Sequence, residues 1–362
     1  MSLKTILFGK IESDIDKEKV RKGRSKKILF IIAVTALAFL IALYSITVSS
    51  SGITVKQIFG TLVNQVLPNT FDIPAKTQAI VMKVYAPRVF MAVIIGPILA
   101  IGGCITQTIL KNPLATPYTL GVSSGASFGA GLAIIAGISS GIGSLATTVN
   151  AFLFSLIPAA VILTVSSRKN TMATTLILIG VSMSYLFSSA NTLLQFFGNA
   201  DAVKAALFWS VGDLNNSMLK QVPYVFATLV ITLIAGLVLL KDINIMRMGD
   251  DTAASLGVNV RFIRTASIVL ACFSTAVAVS FVGAIGFICL LAPQISRIVI
   301  GGDLKYLLPA SAAMGALLLG IADLLAKTVV SPIILPVGAI TAVIGAPLLI
   351  YLLIRNRNMV VS

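Results

Sequence analysis

Residues 28–48 read ILFIIAVTALAFLIALYSITV, twenty-one residues without one charge. A helix rises 1.5 Å per residue, so about 20 apolar residues cross the roughly 30 Å hydrocarbon layer of a membrane. A cleavable leader has a shorter apolar core and a small-residue cut site after it. This run is full length and no A-x-A site follows, so it is expected to stay as a first span. The rest of the chain has the same character. Of 362 residues, 57% are hydrophobic and 11% are charged, and mean hydropathy is +1.01. Soluble domains carry about 25% charged residues. A water-soluble fold has nowhere to place this much apolar surface, so the composition excludes an ordinary soluble enzyme, a disordered chain and a disulfide-stapled secreted domain.

Nine further apolar segments follow, at 88–110, 119–138, 145–166, 172–197, 221–240, 263–281, 283–299, 306–327 and 335–354. The expected fold class is therefore an all-α integral membrane protein of about ten transmembrane helices. Segment 283–299 is short enough to stop part-way through the bilayer. Residues 1–27 form a polar, basic tail with nine Lys/Arg and four acids. With the N-terminus inside, 20 of the 27 Lys/Arg fall on the cytoplasmic side: the nine of the tail, then Lys111, Arg168, Lys169, Lys241, Arg247, Arg261, Arg264, Arg297, Lys305, Arg355 and Arg357. Seven fall outside: Lys56, Lys76, Lys83, Arg88, Lys204, Lys220 and Lys327. This split obeys the positive-inside rule with both termini cytoplasmic. The net charge of +15 is thus a topology and lipid-surface signal, not a nucleic-acid footprint. The expected organisation is the tail (1–27) and a permease domain (28–358).

Two connections are long. The outer one, 49–87, holds an amphipathic stretch from Ile53 to Leu67 and an apolar stretch ending before Pro87-Arg88. The inner one, 241–262, has Asp250-Asp251 ahead of Ala253-Ala254-Ser255-Leu256, then Gly257. Acids at a helix start and Gly at its end predict a short helix along the inner membrane surface. A plain solvated loop is the bland alternative.

Chemistry-bearing motifs are scarce. His is absent, which removes the commonest general base and metal ligand. Cys104, Cys272 and Cys289 are scattered through apolar runs and read as core residues. Gly121-Val122-Ser123-Ser124-Gly125 fits G-x-S-x-G, but a nucleophile elbow needs a strand-to-helix turn and a His. Gly125 and Gly129 read better as close helix packing. There is no P-loop, so any ATP-driven step belongs to a partner. No catalytic residue, cofactor or metal site is expected. Asp323 and Lys327 are an i,i+4 pair in segment 306–327; a proton relay would want several such groups at mid-membrane. Asn191 and Gln195, also i,i+4, either bond between helices or line a path. Asn112-Pro113-Leu114-Ala115-Thr116-Pro117 is a rigid inner turn, suited to bracing against a cytosolic partner.

Several of these residues stand in a familiar order. Pro87-Arg88, Gly96, Gln107, Asn112-Pro113-Leu114-Ala115, Leu120-Gly121-Val122-Ser123-Ser124-Gly125, Ala254-Ser255-Leu256-Gly257-Val258, Ala292-Pro293-Gln294-Ile295-Ser296-Arg297, Ala322-Asp323 and Gly345-Ala346-Pro347 together resemble the FecCD-type permeases of ABC importers for iron–siderophores, haem and vitamin B12. The likeness covers about 80–355. It implies a homodimer of permeases working with two cytosolic ABC ATPases and an extracytoplasmic substrate-binding protein. It implies that Gly249, Asp250, Ala253, Ala254, Ser255, Leu256, Gly257 and Val258 contact the ATPase. It implies that Arg88, Lys327 and Lys83 meet the binding protein. Segments five and ten would line the path, with Ser188, Asn191 and Gln195 as path residues. Three positions depart from the family pattern: Tyr85 replaces an arginine, Gln294 a histidine, and Ile334 a common glutamate. An iron–siderophore or related metal chelate is the expected cargo. A carrier driven by an ion gradient is the rival reading.

Overall fold

A computed structural model describes residues 3–48, 53–67, 70–138, 145–166 and 172–355. Arg168, Lys169 and Arg357, used above for orientation, lie outside the described residues. Fourteen α-helices occur among the described residues: α1 (Leu3–Thr47), α2 (Val55–Val66), α3 (Ala75–Ile80), α4 (Ala86–Ile109), α5 (Val122–Ile135), α6 (Ala146–Ser166), α7 (Ala173–Phe197), α8 (Ala200–Val211), α9 (Val222–Met246), α10 (Asp250–Ser255), α11 (Val260–Val282), α12 (Phe287–Ile300), α13 (Leu304–Thr328) and α14 (Val337–Arg355). Seven helical stretches are long and apolar enough to cross a membrane, and α5, α12 and part of α14 are shorter apolar helices. Each of the ten apolar segments of the sequence lands on one of these. The helix of segment one starts at Leu3, well before the apolar run; the first proline of the chain is Pro68, so nothing in the sequence breaks it sooner.

The bundle is organised around α4, which is buried along nearly its whole length. It begins earlier than the apolar segment suggests. A π turn, Val81–Tyr85, joins α3 to it, and the Ala86 N–H bonds the Val81 carbonyl. Pro87 explains the wide turn: it lacks an N–H, and its ring would collide with the carbonyl four residues back in a regular helix. Small residues set how close the neighbours come. Gly96 of α4 and Gly315 of α13 face each other so tightly that a Cβ on Gly96 would lie 2.6 Å from the Gly315 carbonyl carbon. Gly125 and Gly129 of α5 lie against the Phe154 and Asn150 carbonyls of α6, which is the packing role expected for this pair. Gly315→Ala should cost about 1–3 kcal/mol, because backbone rather than a flexible side chain must yield. Thermal unfolding of the purified variant checks this, and an unchanged midpoint would refute the contact.

The short helix expected within the 241–262 connection forms as α10. The stretch after segment five, for which no element was expected, holds α8. Its signals were present: the Asn199 Oδ1 caps the Ala202 N–H at 2.9 Å, and Gly212 ends it with φ 84°. The amphipathic outer stretch is α2, started by a capping box between Thr54 and Gln57.

The turns at 110–121, 247–259 and 301–303 gather at one end of the bundle. Lys111 pairs with Asp250, Gln294 donates to the Pro113 carbonyl at 2.8 Å, and Asn244 donates to Asp303 at 3.0 Å. This end is called the basic end below. The opposite end gathers Ser45, Arg88, Lys327 and the 212–217 turn.

Candidate functional site

At the basic end, α10 is a small helix held at both flanks by glycines with positive φ, Gly249 at 124° and Gly257 at 83°. An L side chain is strained at such angles, so glycine makes both sharp bends possible. The segment turns one side in and one out. Ala253 is fully buried against the core around Met246 and Ile263, whereas Leu256 is 60% and Met248 71% exposed. Asp250 pins the segment. It accepts from Lys111 Nζ at 3.0 Å and from the Arg264 guanidinium, so α10 is tied to the turn after α4 and to α11. Partial burial pushes the Asp250 carboxyl up, but the hydrogen bonds and charges of Lys111 and Arg264 outweigh this and hold it below its ordinary 3.8.

The sign of the pH effect follows. A carboxylate depressed in the folded state stabilises above its unfolded value, and that contribution disappears as pH falls through the folded value. A spin label on Met248→Cys should therefore be equally immobile from pH 8 to 5 and gain mobility only below about 4. In an Asp250→Asn background the mobility should be raised at every pH. Equal mobility in both backgrounds would remove the pinning role.

The rigid turn 112–117 is fastened to α12. Gln294 donates to the Pro113 carbonyl and also reaches Gln107 Oε1 at 3.3 Å, while Gln107 donates to the Cys289 carbonyl at 3.2 Å. A histidine ring N–H could serve the Pro113 carbonyl equally, so the departure at Gln294 keeps the fastening.

At the opposite end the structure corrects the exposure implied for Arg88 and Lys327. They are only 1% and 6% exposed. Both are spent on Asp323, itself fully buried. The Arg88 guanidinium pairs with Asp323 Oδ1 and donates to Asn215 Oδ1. Lys327 Nζ lies 2.7 Å from Asp323 Oδ2 and donates to Ser45 Oγ at 2.9 Å. The Ser45 hydroxyl in turn donates to Asp323 Oδ2 at 3.1 Å. Asp213 stands 4.0 Å from Arg88 and restores the charge balance. The physical reason for burial is mutual: two cations and two carboxylates neutralise one another, which an isolated charge there could not do. The i,i+4 spacing made the Asp323–Lys327 pair legible; Ser45, Asp213 and Asn215 carried no sequence signal for it. Tyr85 is buried beside Ile46, Ile58 and Val89. Lys83, on the π turn, is exposed.

The three path candidates share α7. Ser188 is exposed, and Gln195 is half-buried. Asn191 turns its amide oxygen against Gly131 of α5, where that oxygen is buried without a hydrogen-bond partner among the described residues. So Asn191 packs between helices without bonding across them. Beyond it, α7 presents Leu178, Tyr185, Leu193, Phe196 and Phe197 outward.

Residues 35–355 match the FecCD transport family. The chain belongs to that family. A hemin transport system permease protein of Yersinia pestis is 34% identical to this FecCD permease over 279 residues, covering 76% of this chain and 84% of the relative. A protein of Methanocaldococcus jannaschii, assigned as an ABC transporter permease, is 37% identical over 347 residues, covering 93% and 97%. A solved inward-facing structure of an ABC transporter assigned to the metal-chelate type superposes with a TM-score of 0.77 at 28% identity, covering 90% of this chain and 98% of that one. The FecCD chain is thus the multi-pass permease of an ABC importer, a membrane component and not itself an enzyme.

Proposed function

We propose that this permease imports an iron–siderophore or a related metal chelate by alternating access, driven by ATP hydrolysis on separate cytosolic subunits. The observation that carries the coupling half is the α10 segment: a pinned helix flanked by the exposed apolar residues Met248 and Leu256. An exposed leucine on a rigid segment is a natural knob for a groove on an ATPase. Pinning by Asp250 would pass the ATPase motion to α9 and α11, a two-state repacking rather than a continuous deformation. Gly249, Ala253, Ala254, Ser255, Gly257 and Val258 complete the segment. The substrate half rests on the relative named for hemin and the structure assigned to metal chelates.

In this reading the basic end is cytoplasmic and both termini lie on that side, following the charge asymmetry. All ten apolar helices cross or enter the bilayer. A second copy packs against the outward apolar residues of α7 and of α14, where Val343 and Ile350 are exposed. The path runs between the copies, with Ser188 and Gln195 as its polar groups. The binding protein docks on the opposite end around exposed Lys83, over a floor that Arg88 and Lys327 brace from beneath. The buried charges favour ATP over an ion gradient as the energy source, since Asp323 is already engaged by two cations.

The test is co-purification of the tagged chain expressed with its neighbouring genes, followed by an ATPase assay with each co-purifying protein. A Walker-type ATPase that co-purifies, with hydrolysis raised by a binding protein that itself binds a ferric chelate, is the expected result. A chain that purifies alone and moves solute down an ion gradient would overturn the reading.

A further inference from the structure

Four cationic side chains converge on the tight turn between α12 and α13. Arg247 ends α9 and lies flat over Gly302, where a Cβ would meet its guanidinium carbon at 2.9 Å. Arg297 sits in the last turn of α12, close enough to Arg247 for the two charges to repel. Lys27 of α1 and Lys305 of α13 both approach the Tyr306 ring, with Nζ at 5.1 and 6.0 Å from its centroid. The acid of this turn is Asp303. It accepts from Asn244 Nδ2 and from the Lys305 N–H, both at 3.0 Å, so it serves as helix cap and clasp. Asp242 lies five residues before Arg247, about 140° away around α9. Neither arginine forms an ion pair with an acid among the described residues.

Helix ends explain part of this. A cation in the last turn of α12 faces the negative end of the helix. That accounts for Arg297 and leaves three more cations around the same three-residue turn. Orientation by positive charge explains basic residues at this end in general, but it does not require four of them to meet. Like charges held together repel unless an anion lies between them. The surroundings name the kind of anion. Ile28, adjacent to Lys27, and Ile298, adjacent to Arg297, are exposed apolar residues, so apolar surface suited to acyl chains begins beside the cluster. A basic pocket between spanning helices at this level fits a phosphate head group.

We propose that the α12–α13 turn, with Lys27, Arg247, Arg297 and Lys305, binds the head group of an anionic phospholipid. Arg247 and Arg297 grip the phosphate, for which the planar guanidinium suits bidentate contact. Lys27 and Lys305, steadied on Tyr306, close over it at the rim. A lipid held there would join α1, α9, α12 and α13 at the end that carries α10.

The experiment uses the full chain with its co-purifying partners in nanodiscs of phosphatidylcholine containing 10 mol% phosphatidylglycerol. Labelled lipid retained after a detergent wash is counted per permease. Phosphatidylglycerol should be retained at least tenfold over its mole fraction, and Arg247→Gln with Arg297→Gln should weaken its binding roughly 30-fold. Lys27→Gln with Lys305→Gln gives a second pair should the first not fold. Equal retention of the two lipids, or unchanged retention in a folded pair, overturns the proposal. Displacement by millimolar inorganic phosphate would make the site one for a free anion, and also overturns it. Loss of a co-purifying ATPase with lipid retention intact would assign the cluster to a protein contact instead.

Discussion

Asp323→Asn is expected to destabilise the permease by about 3–5 kcal/mol, the cost of leaving buried charges without their partner. Arg88 and Lys327 would then face each other with only Asp213 near, and Asp213 touches Arg88 at 4.0 Å. The loss should appear as a lower unfolding midpoint in detergent. It should also appear as faster proteolysis of the 212–217 turn, which Arg88 holds through Asn215. Adding Lys327→Met to Asp323→Asn should recover part of the loss, because removing both members of a buried pair costs less than removing one. Equal midpoints for the wild type and the single variant would mean that water or rearrangement satisfies the cations, and the network would have no structural weight. Charge reversal at Arg88 and Lys327 is expected to act the same way, through the fold, before it touches any docking surface.

Leu256→Asp carries the largest expected effect on transport. Leu256 is exposed, so the isolated permease should unfold within about 0.5 kcal/mol of the wild type. Substrate-driven uptake should nevertheless fall at least tenfold, since a charge in an apolar groove is left without a partner. Ala253→Asp is the contrast. Ala253 is fully buried one turn away, so that variant should damage the fold itself. If Leu256→Asp transports at the normal rate with the ATPase bound, α10 is not the coupling element. If both variants unfold alike, the inward and outward sides of α10 are assigned wrongly.

Some of this architecture could be read directly from residues. Ten apolar segments each became a helix, because apolar length and the absence of charge act locally and need no partner to be recognised. Gly125 and Gly129 announced a close helix contact, and Asp250-Asp251 with Gly257 announced α10, since caps and bends are also local. Asn199 and Gly212 announced α8 equally well, although the sequence reading named no element there. Pro87 marked the π turn only in hindsight, because a proline can break, kink or widen a helix, and the choice depends on what surrounds it.

Charge was different. Lys327 lies at the end of its segment and Arg88 at the start of one, positions where a long side chain ordinarily reaches water. Their direction is decided by residues far away in the chain: Ser45 comes from α1, and Asp213 and Asn215 come from the 212–217 turn, and only packing brings them to Arg88, Lys327 and Asp323. The convergence of Lys27, Arg247, Arg297 and Lys305 is of the same kind. The membrane-spanning class, the approximate spans and the family follow from local pattern and motif order, because hydrophobic length and backbone punctuation are properties of neighbours in sequence. Whether a given charge is buried or offered to a partner is a property of neighbours in space, and it took the folded bundle to settle that.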